Sequence, residues 1–443
     1  MLDLKAAAIA ANRFGFGAKP GELDAIAADP HAWLRRQLTP ETPASVGTPS
    51  SAQLNQFLQA RKERKTDVDA AKMMAKTLRD DFRAAAAKRT LDAANSATPF
   101  RERLVQFWSN HFTVSIQRPV VIPVAIGFEN EAIRPNVLGN FRSLLSAVAT
   151  HPAMLLYLDN AGSVGPNSVA GQKNKRGLNE NLAREMLELH TVGVDGGYTQ
   201  TDVTEFAKVL TGWSIAREGE PNPGQFRYRP MVHEPGDKAV MGRTYREAGA
   251  DEATQAMNDL AGRPQTARHI ATKLARHFVA DDPPQAAIDV LAKTYLATDG
   301  DLHAVSVALI SLPQIWSQPL TKVKTPNELV LSACRAFGVT DAATGENILM
   351  GLKQMDQVPF SAPSPAGWPD TADGWVSPEA MMTRIEWAMM AGQTLDGHAD
   401  AREVAKTTIQ PVAADSTMFH INNAPSPAEA LALLIASPEF QRR

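Results

Sequence analysis

The chain has a single cysteine, Cys334, among 443 residues. That excludes an internal disulfide framework, multi-cysteine zinc or iron–sulfur sites, and haem attachment through paired cysteines. No apolar run approaches the ~20 residues of a membrane span, so no membrane insertion is expected. An excess of one charge sign is also missing. Lys+Arg 45 against Asp+Glu 48 leaves a formal net charge of -3, which gives no electrostatic reason to expect nucleic acid or an acidic membrane surface. The opening MLDLKAAAIAANRFGFGAKPG lacks a proper signal peptide: its apolar run at 6–11 is short and no cleavage site follows. Read literally, the chain stays in the cytoplasm. HExxH, G-x-S-x-G, Walker A, a dinucleotide glycine fingerprint and the paired Glu-x-x-His of di-iron bundles are all absent. Ordinary hydrolase, kinase and dehydrogenase readings lose their usual support.

What is present is alanine-rich helical periodicity, in a composition 44% hydrophobic and 21% charged. The expected fold class is mainly α: a helical N-terminal arm over 1–95 packing on a large multi-helical domain over 96–443. Residues 41–50 read as a Pro/Ser/Thr-rich connector. Residues 51–95 read as a helical arm or hairpin with solvated basic sides. Thr98-Pro99 starts a strong helix, with threonine suited to the N-cap and proline to the first helical position. Residues 161–178 are Gly/Ser/Asn-rich and read as a mobile loop. The one persuasive β signal is a hairpin over 225–245, FRYRPMVH and KAVMGRTY alternating around the turn 234–237. A Trp/Pro-rich loop over 357–378 carries Phe360, Trp368 and Trp375.

Polar chemistry concentrates in residues 179–213, NENLAREMLELHTVGVDGGYTQTDVTEFAKVLTGW. Asn181, Glu185 and Glu188 fall at i, i+4 and i+7 and share a helix face. Arg184 sits four before Glu188, in reach of an ion pair. Glu185 and Glu188 could hold a divalent metal through oxygen ligands; the commoner alternative is a salt-bridged helix face. His190 lies about 200° around a regular helix from Glu188 and joins it only if the helix unwinds there. Gly193 supplies the helix stop, and Thr199 with Asp202 reads as a capping box. Comparison of 194–205 with a calcium loop fails, because acidic ligands are missing where they belong.

Outside this block, His111 sits three after Trp108 on an aromatic stripe. It is either a satisfied core histidine or a partner for the carboxylates, and imidazole plus carboxylate suits iron, manganese or zinc. His233, Asp237 and Lys238 flank the expected hairpin turn, where they either serve the turn or deliver a base and a cation. Trp368 and Trp375 form either a ligand platform or a tether for their own loop. His269 and His277, eight apart on one helix, read as surface residues. The candidate set is therefore Glu185, Glu188, His190 and Arg184 for catalysis. For a metal it is His111, Glu185, Glu188 and His233, and for binding Trp368, Trp375, Asp237 and Lys238.

FWSNHF (107–112), HPAMLLYLD (151–159), the central block with LTGW, HEPGDK (233–238), TDGD (298–301), PAGWPD (365–370) and SPEFQRR (437–443) together resemble a bacterial family, domain of unknown function 1800. The resemblance runs from residue 12 onward. It implies a largely helical protein and singles out His111, Asn179, Glu180, Arg184, Glu185, Glu188, His190 and His233. It also implies a partner: many members are exported and are encoded beside a twin-arginine-exported family, domain of unknown function 1501, that resembles sulfatases or phosphatases. Co-export with such a partner is one expectation. The expected activity is metal-assisted oxidative or hydrolytic chemistry, and its alternative is a non-catalytic partner or assembly factor.

Overall fold

Helix starts are set by prolines and capping residues. Thirty prolines would break helices if they fell inside them. Instead Pro30, Pro99, Pro152, Pro264, Pro326, Pro378, Pro427 and Pro438 each open one, where no backbone N–H is needed. The computed structural model describes residues 2–39, 48–63, 67–174, 177–317, 319–397 and 399–443. It is mainly α-helical, as the periodicity predicts, with two small antiparallel β-pairs. No described helix is long and apolar enough to cross a membrane.

The predicted capping box forms: Thr199 Oγ1 accepts the Asp202 N–H at 3.2 Å and Asp202 Oδ2 accepts the Thr199 N–H at 2.8 Å, opening Gln200–Val209. A second box, Thr325 with Glu328, opens Pro326–Ala336. At Pro99–His111 the threonine makes no side-chain cap; Ser96 Oγ instead accepts the Thr98 N–H at 3.0 Å. Residues 51–95 hold two helices, Ser50–Glu63 and Val68–Asn95, packed on each other. Most of the expected connector, residues 41–47, lies outside the described residues. The stretch 161–178 carries a short helix, Val169–Asn174, where a loop was expected. Just before it, Asn167 N–H donates to Glu234 at 2.9 Å.

The β pairing differs from the expectation. Strand β1 (Trp213–Ile215) pairs with β2 (Phe226–Tyr228), and β3 (Lys238–Val240) with β4 (Arg243–Tyr245). The two alternating segments therefore do not pair with each other. The cause is local: Met241 and Gly242 have φ of 48° and 78°, the double positive φ of a two-residue hairpin turn. They close β3 on β4 and leave β2 for β1.

The apolar interior falls into two clusters. One runs from Ala7 to Ile315 and includes Phe100, Trp108, Leu187 and Leu274. The other gathers Phe16, Leu91 and residues from Leu329 to Phe440. Buried charge stitches the seam. Arg103 donates to Glu328 and to the carbonyl of Gly15, and Arg443 Nε donates to the other Glu328 oxygen at 2.9 Å. Three opposed groups with little solvent must each be paired to be tolerated, and here they are.

Candidate functional site: a polar cleft on the seam

The central block forms one wall of the site through an unusual helix end. Asn181–Glu185 is α-helical, but Met186–His190 winds as a π turn, a feature common at functional sites. The last carbonyls of such a turn need partners. His269 Nε2 donates to the Leu189 carbonyl at 2.9 Å, and His111 Nε2 to the His190 carbonyl at 3.2 Å. Gly193, at φ 87°, then turns the chain; a Cβ there would lie 2.8 Å from His269 Nδ1, so glycine is required twice over.

His190 points into the core. Its ring lies 5.0 Å from Phe112 and 6.1 Å from His111. The winding changes, yet His190 does not join the carboxylates. Those face the other way. Glu180 accepts from Arg184 at 3.1 Å, Gln200 at 2.9 Å and Thr204 at 2.6 Å, so Arg184 pairs with Glu180 rather than Glu188. Glu188 accepts from the Tyr198 hydroxyl at 3.0 Å. Glu185 is half-buried, and burial together with the Glu188 charge raises its carboxyl above the usual range. Asn179 Oδ1 accepts the Asn181 N–H at 2.9 Å, a helix-start contact.

His233 belongs to a separate buried cluster. Its Nδ1 donates to the Thr211 carbonyl at 2.8 Å, and its Nε2 lies 3.3 Å from both Glu252 and Lys238. Lys238 donates to the Glu234 carbonyl at 2.6 Å and pairs with Glu252. Asp237 accepts the Glu247 N–H at 3.1 Å, which is a turn role. The HEPGDK motif thus builds an internal clamp on Glu252, a residue the sequence reading missed. His111, Glu185, Glu188 and His233 occupy three different environments. Among the described residues, no group of three or more His, Cys, Asp or Glu is arranged to hold a metal ion.

Another suggestive constellation also fails on geometry. Ser50 Oγ lies 3.2 Å from His151 Nε2, and Glu131 contacts both. His151 Nδ1 accepts the Ala153 N–H at 3.1 Å, so the ring proton sits on Nε2. That nitrogen cannot take a proton from the serine.

The open chemistry lies on the seam itself. A cleft of about 550 Å³ is bounded by Pro99–His111, Pro264–Phe278, the start of Pro326–Ala336 and the loop 357–371. FWSNHF and PAGWPD meet here. Asn110 Nδ2 donates to the Trp368 carbonyl at 3.0 Å and Asn110 Oδ1 accepts the Trp368 N–H at 2.7 Å. Trp368 lines the cleft. Trp375 is buried and donates to the Pro369 carbonyl at 2.9 Å, tethering its own loop. Phe360, on the rim, holds φ at 55°, a strained setting for a bulky residue. The Ile116 N–H fixes its carbonyl at 2.7 Å.

His277 is the central group. Its Nδ1 stands 3.0 Å from both oxygens of Asp370, while its Nε2 is buried with no hydrogen-bond partner among the described residues. His111, also lining the cleft, has its Nδ1 buried and without a partner among the described residues. Burial pushes His277 down to about 4 despite the opposing pull of Asp370. Burial likewise pushes His269 to about 4 and His190 to about 3, and lowers His111, with the Lys273 charge adding to each. Burial works against the Asp370 charge, but His277, Arg443 and Lys322 outweigh it and hold that carboxyl below its usual range. Near pH 7 the pair is therefore neutral imidazole and carboxylate.

His269, Lys273 and His277 recur at i, i+4 and i+8 along Pro264–Phe278, bordering the buried stripe Ile270, Ala271, Leu274 and Phe278. The two histidines are not the surface residues that their spacing alone suggested. A polar row beside an apolar stripe was the available signal. Asp370, inside PAGWPD, carried none.

Over residues 9–442 the chain matches the family described as Protein of unknown function (DUF1800), and it belongs to that family. No curated protein and no solved structure matches it.

Proposed function

We propose that the seam cleft is the active site of a hydrolytic enzyme in which His277 is the general base and Asp370 its positioning carboxylate. One observation carries this reading: His277 is fixed at Nδ1 by Asp370, while its Nε2 lone pair is buried in a cleft wall with no partner among the described residues. Donation of Nδ1–H to Asp370 selects the tautomer with a free Nε2, and the carboxylate stabilises the imidazolium that forms when a proton is taken. A depressed pKa keeps that lone pair free through the neutral range and makes the conjugate acid quick to return its proton. His277 would accept a proton from a water or hydroxyl as it attacks a bound electrophile. Asn110, Trp368 and the strained Phe360 shape the cavity around it.

The test has two parts. Nitrogen-15 NMR of histidine-labelled protein should show His277 as the neutral tautomer protonated on Nδ1 at pH 7. A ring protonated on Nε2 would defeat the reading. Turnover of chromogenic ester, amide, phosphoester or glycoside substrates should fall by about 100-fold or more in His277→Gln, the typical share of a general base.

We propose as a second reading that the chain serves as a partner for a co-encoded exported protein. A different surface supports it: an apolar groove lined by Ile385, Met389 and Leu433, with Met382 and Met390 exposed beside it. Methionine-rich surfaces adapt to varied partners. Loss of association with the domain of unknown function 1501 protein in Met389→Glu, with retention in Met389→Leu, would establish it.

A further inference from the structure

We propose that the ligand of the seam cleft carries an oxyanion group, a carboxylate or a phosphate, seated between Lys273 and Arg276. This rests on the cleft being the ligand site argued above, but not on His277 moving a proton.

The argument is one of charge balance. Arg89, Arg103, Lys273, Arg276, Glu328 and Asp370 are the charged side chains lining the cleft. Arg89 is committed to Glu129, with contacts of 2.7 and 2.6 Å. Arg103 is committed to Glu328 and to the Gly15 carbonyl. Both acids in the cleft are already in use. Glu328 also serves Arg443, and Asp370 faces His277 at 3.0 Å and Arg443 at 3.5 Å. Two cations are left over. Among the described residues Arg276 places only its Nε on an acceptor, the Asp281 carbonyl at 3.2 Å. The Lys273 ammonium makes no hydrogen bond or ion pair to any described residue, and the one charge that favours it is that of Asp370.

Lys273 and Arg276 lie three apart on Pro264–Phe278, so they are neighbours on one helix face. Burial disfavours the Lys273 ammonium; the Asp370 charge offsets part of that, and the like charge of Arg276 adds to it. Two cations beside each other in a partly desolvated cleft, offset only in part by Asp370, are held at a cost. A bound oxyanion removes that cost. The guanidinium offers a planar fork to two oxygens, and the ammonium offers a point charge to a third. His277 is the next cleft-lining residue along the same helix. Negative charge placed beside it favours its protonated form, so an occupied anion seat strengthens the base that acts on the rest of the ligand.

Isothermal titration of the full chain with inorganic phosphate, and separately with malonate, tests the proposal and distinguishes the two oxyanion chemistries. Saturable binding of at least one is expected. It should weaken by about tenfold or more in Lys273→Met and in Arg276→Gln, the loss of a charge-assisted contact, and survive in Lys273→Arg. Anion binding is read without turnover, so a base that fails leaves this titration intact, which separates a failed base from a failed anion seat. Should Lys273→Met not fold, acylation of Lys273 in the unmodified protein, mapped by mass spectrometry, should slow when the anion is present. No saturable binding of either probe, or equal binding in Lys273→Met and Arg276→Gln, overturns the proposal.

Discussion

Lys238 and Glu252 form an ion pair at 3.2 Å with both side chains almost wholly out of solvent, and His233 closes the group from the Thr211 side. A buried pair contributes little against an apolar replacement of equal shape, but removing one partner strands the other. Lys238→Met should therefore destabilise the fold by about 3–5 kcal/mol in urea denaturation. Lys238→Met combined with Glu252→Leu should cost much less than the sum of the single changes. Additive losses would mean that the clamp is not coupled in this way.

The imidazoles behind the cleft make stability depend on acid. His190, His269 and His277 have folded pKa values pushed down to about 3, 4 and 4 by burial. An unfolded histidine takes up its proton near pH 6.5. Above that pH both states are neutral and these groups impose no cost. As pH falls below it, the unfolded chain binds protons that the folded chain refuses. Stability should drop by up to ~1.4 kcal/mol per pH unit for each histidine, until pH approaches the folded values. Denaturant midpoints measured from pH 7.5 to 4.5 check this. A flat profile between 7 and 5 would show that the rings are not held neutral.

Much of the fold was legible because its signals are local. Thr199 and Asp202 announce a helix start by spacing alone, and the structure forms their capping box. The β pairing was misjudged because alternation is shared by all the short strands, while the deciding feature was the pair of positive φ angles at Met241 and Gly242. The site was partly legible. His111 and Trp368 do line the cleft, but the residues that complete it are far apart in sequence. His277 and Asp370 are separated by 93 positions and meet only when the loop docks. Nothing local in PAGWPD reveals that its aspartate will face an imidazole. Glu185 and Glu188 attracted attention because they share a helix face with Asn181. A shared face is equally what a solvent-side hydrogen-bond network requires, and Glu180 is held in one.

Gly193 should tolerate no side chain. Its φ of 87° already disfavours an L-residue, and a Cβ would press to 2.8 Å from His269 Nδ1. That imidazole cannot retreat without releasing the Leu189 carbonyl it caps. Gly193→Ala is expected to cost about 2–4 kcal/mol, from left-handed strain and overpacking together. It should also raise hydrogen exchange at the π turn. Exchange unchanged there, with stability intact, would show that the ring can move freely.

Glu185 provides the sharpest contrast between a structural and a functional residue. Burial and the neighbouring Glu188 charge both disfavour its ionised form, with Arg184 only partly offsetting them. A carboxyl whose folded pKa is raised weakens the fold above that pKa. The penalty disappears as pH falls below the unfolded value, where both states are protonated. Glu185→Gln should therefore stabilise the protein at pH 7 by about 0.5 kcal/mol, comparable to relieving one like-charge pair on a helix, and by nothing near pH 3.5. A residue whose removal helps the fold is one kept for another reason. If Glu185→Gln instead destabilises the protein at pH 7, the carboxylate is satisfied within the fold and is part of its framework.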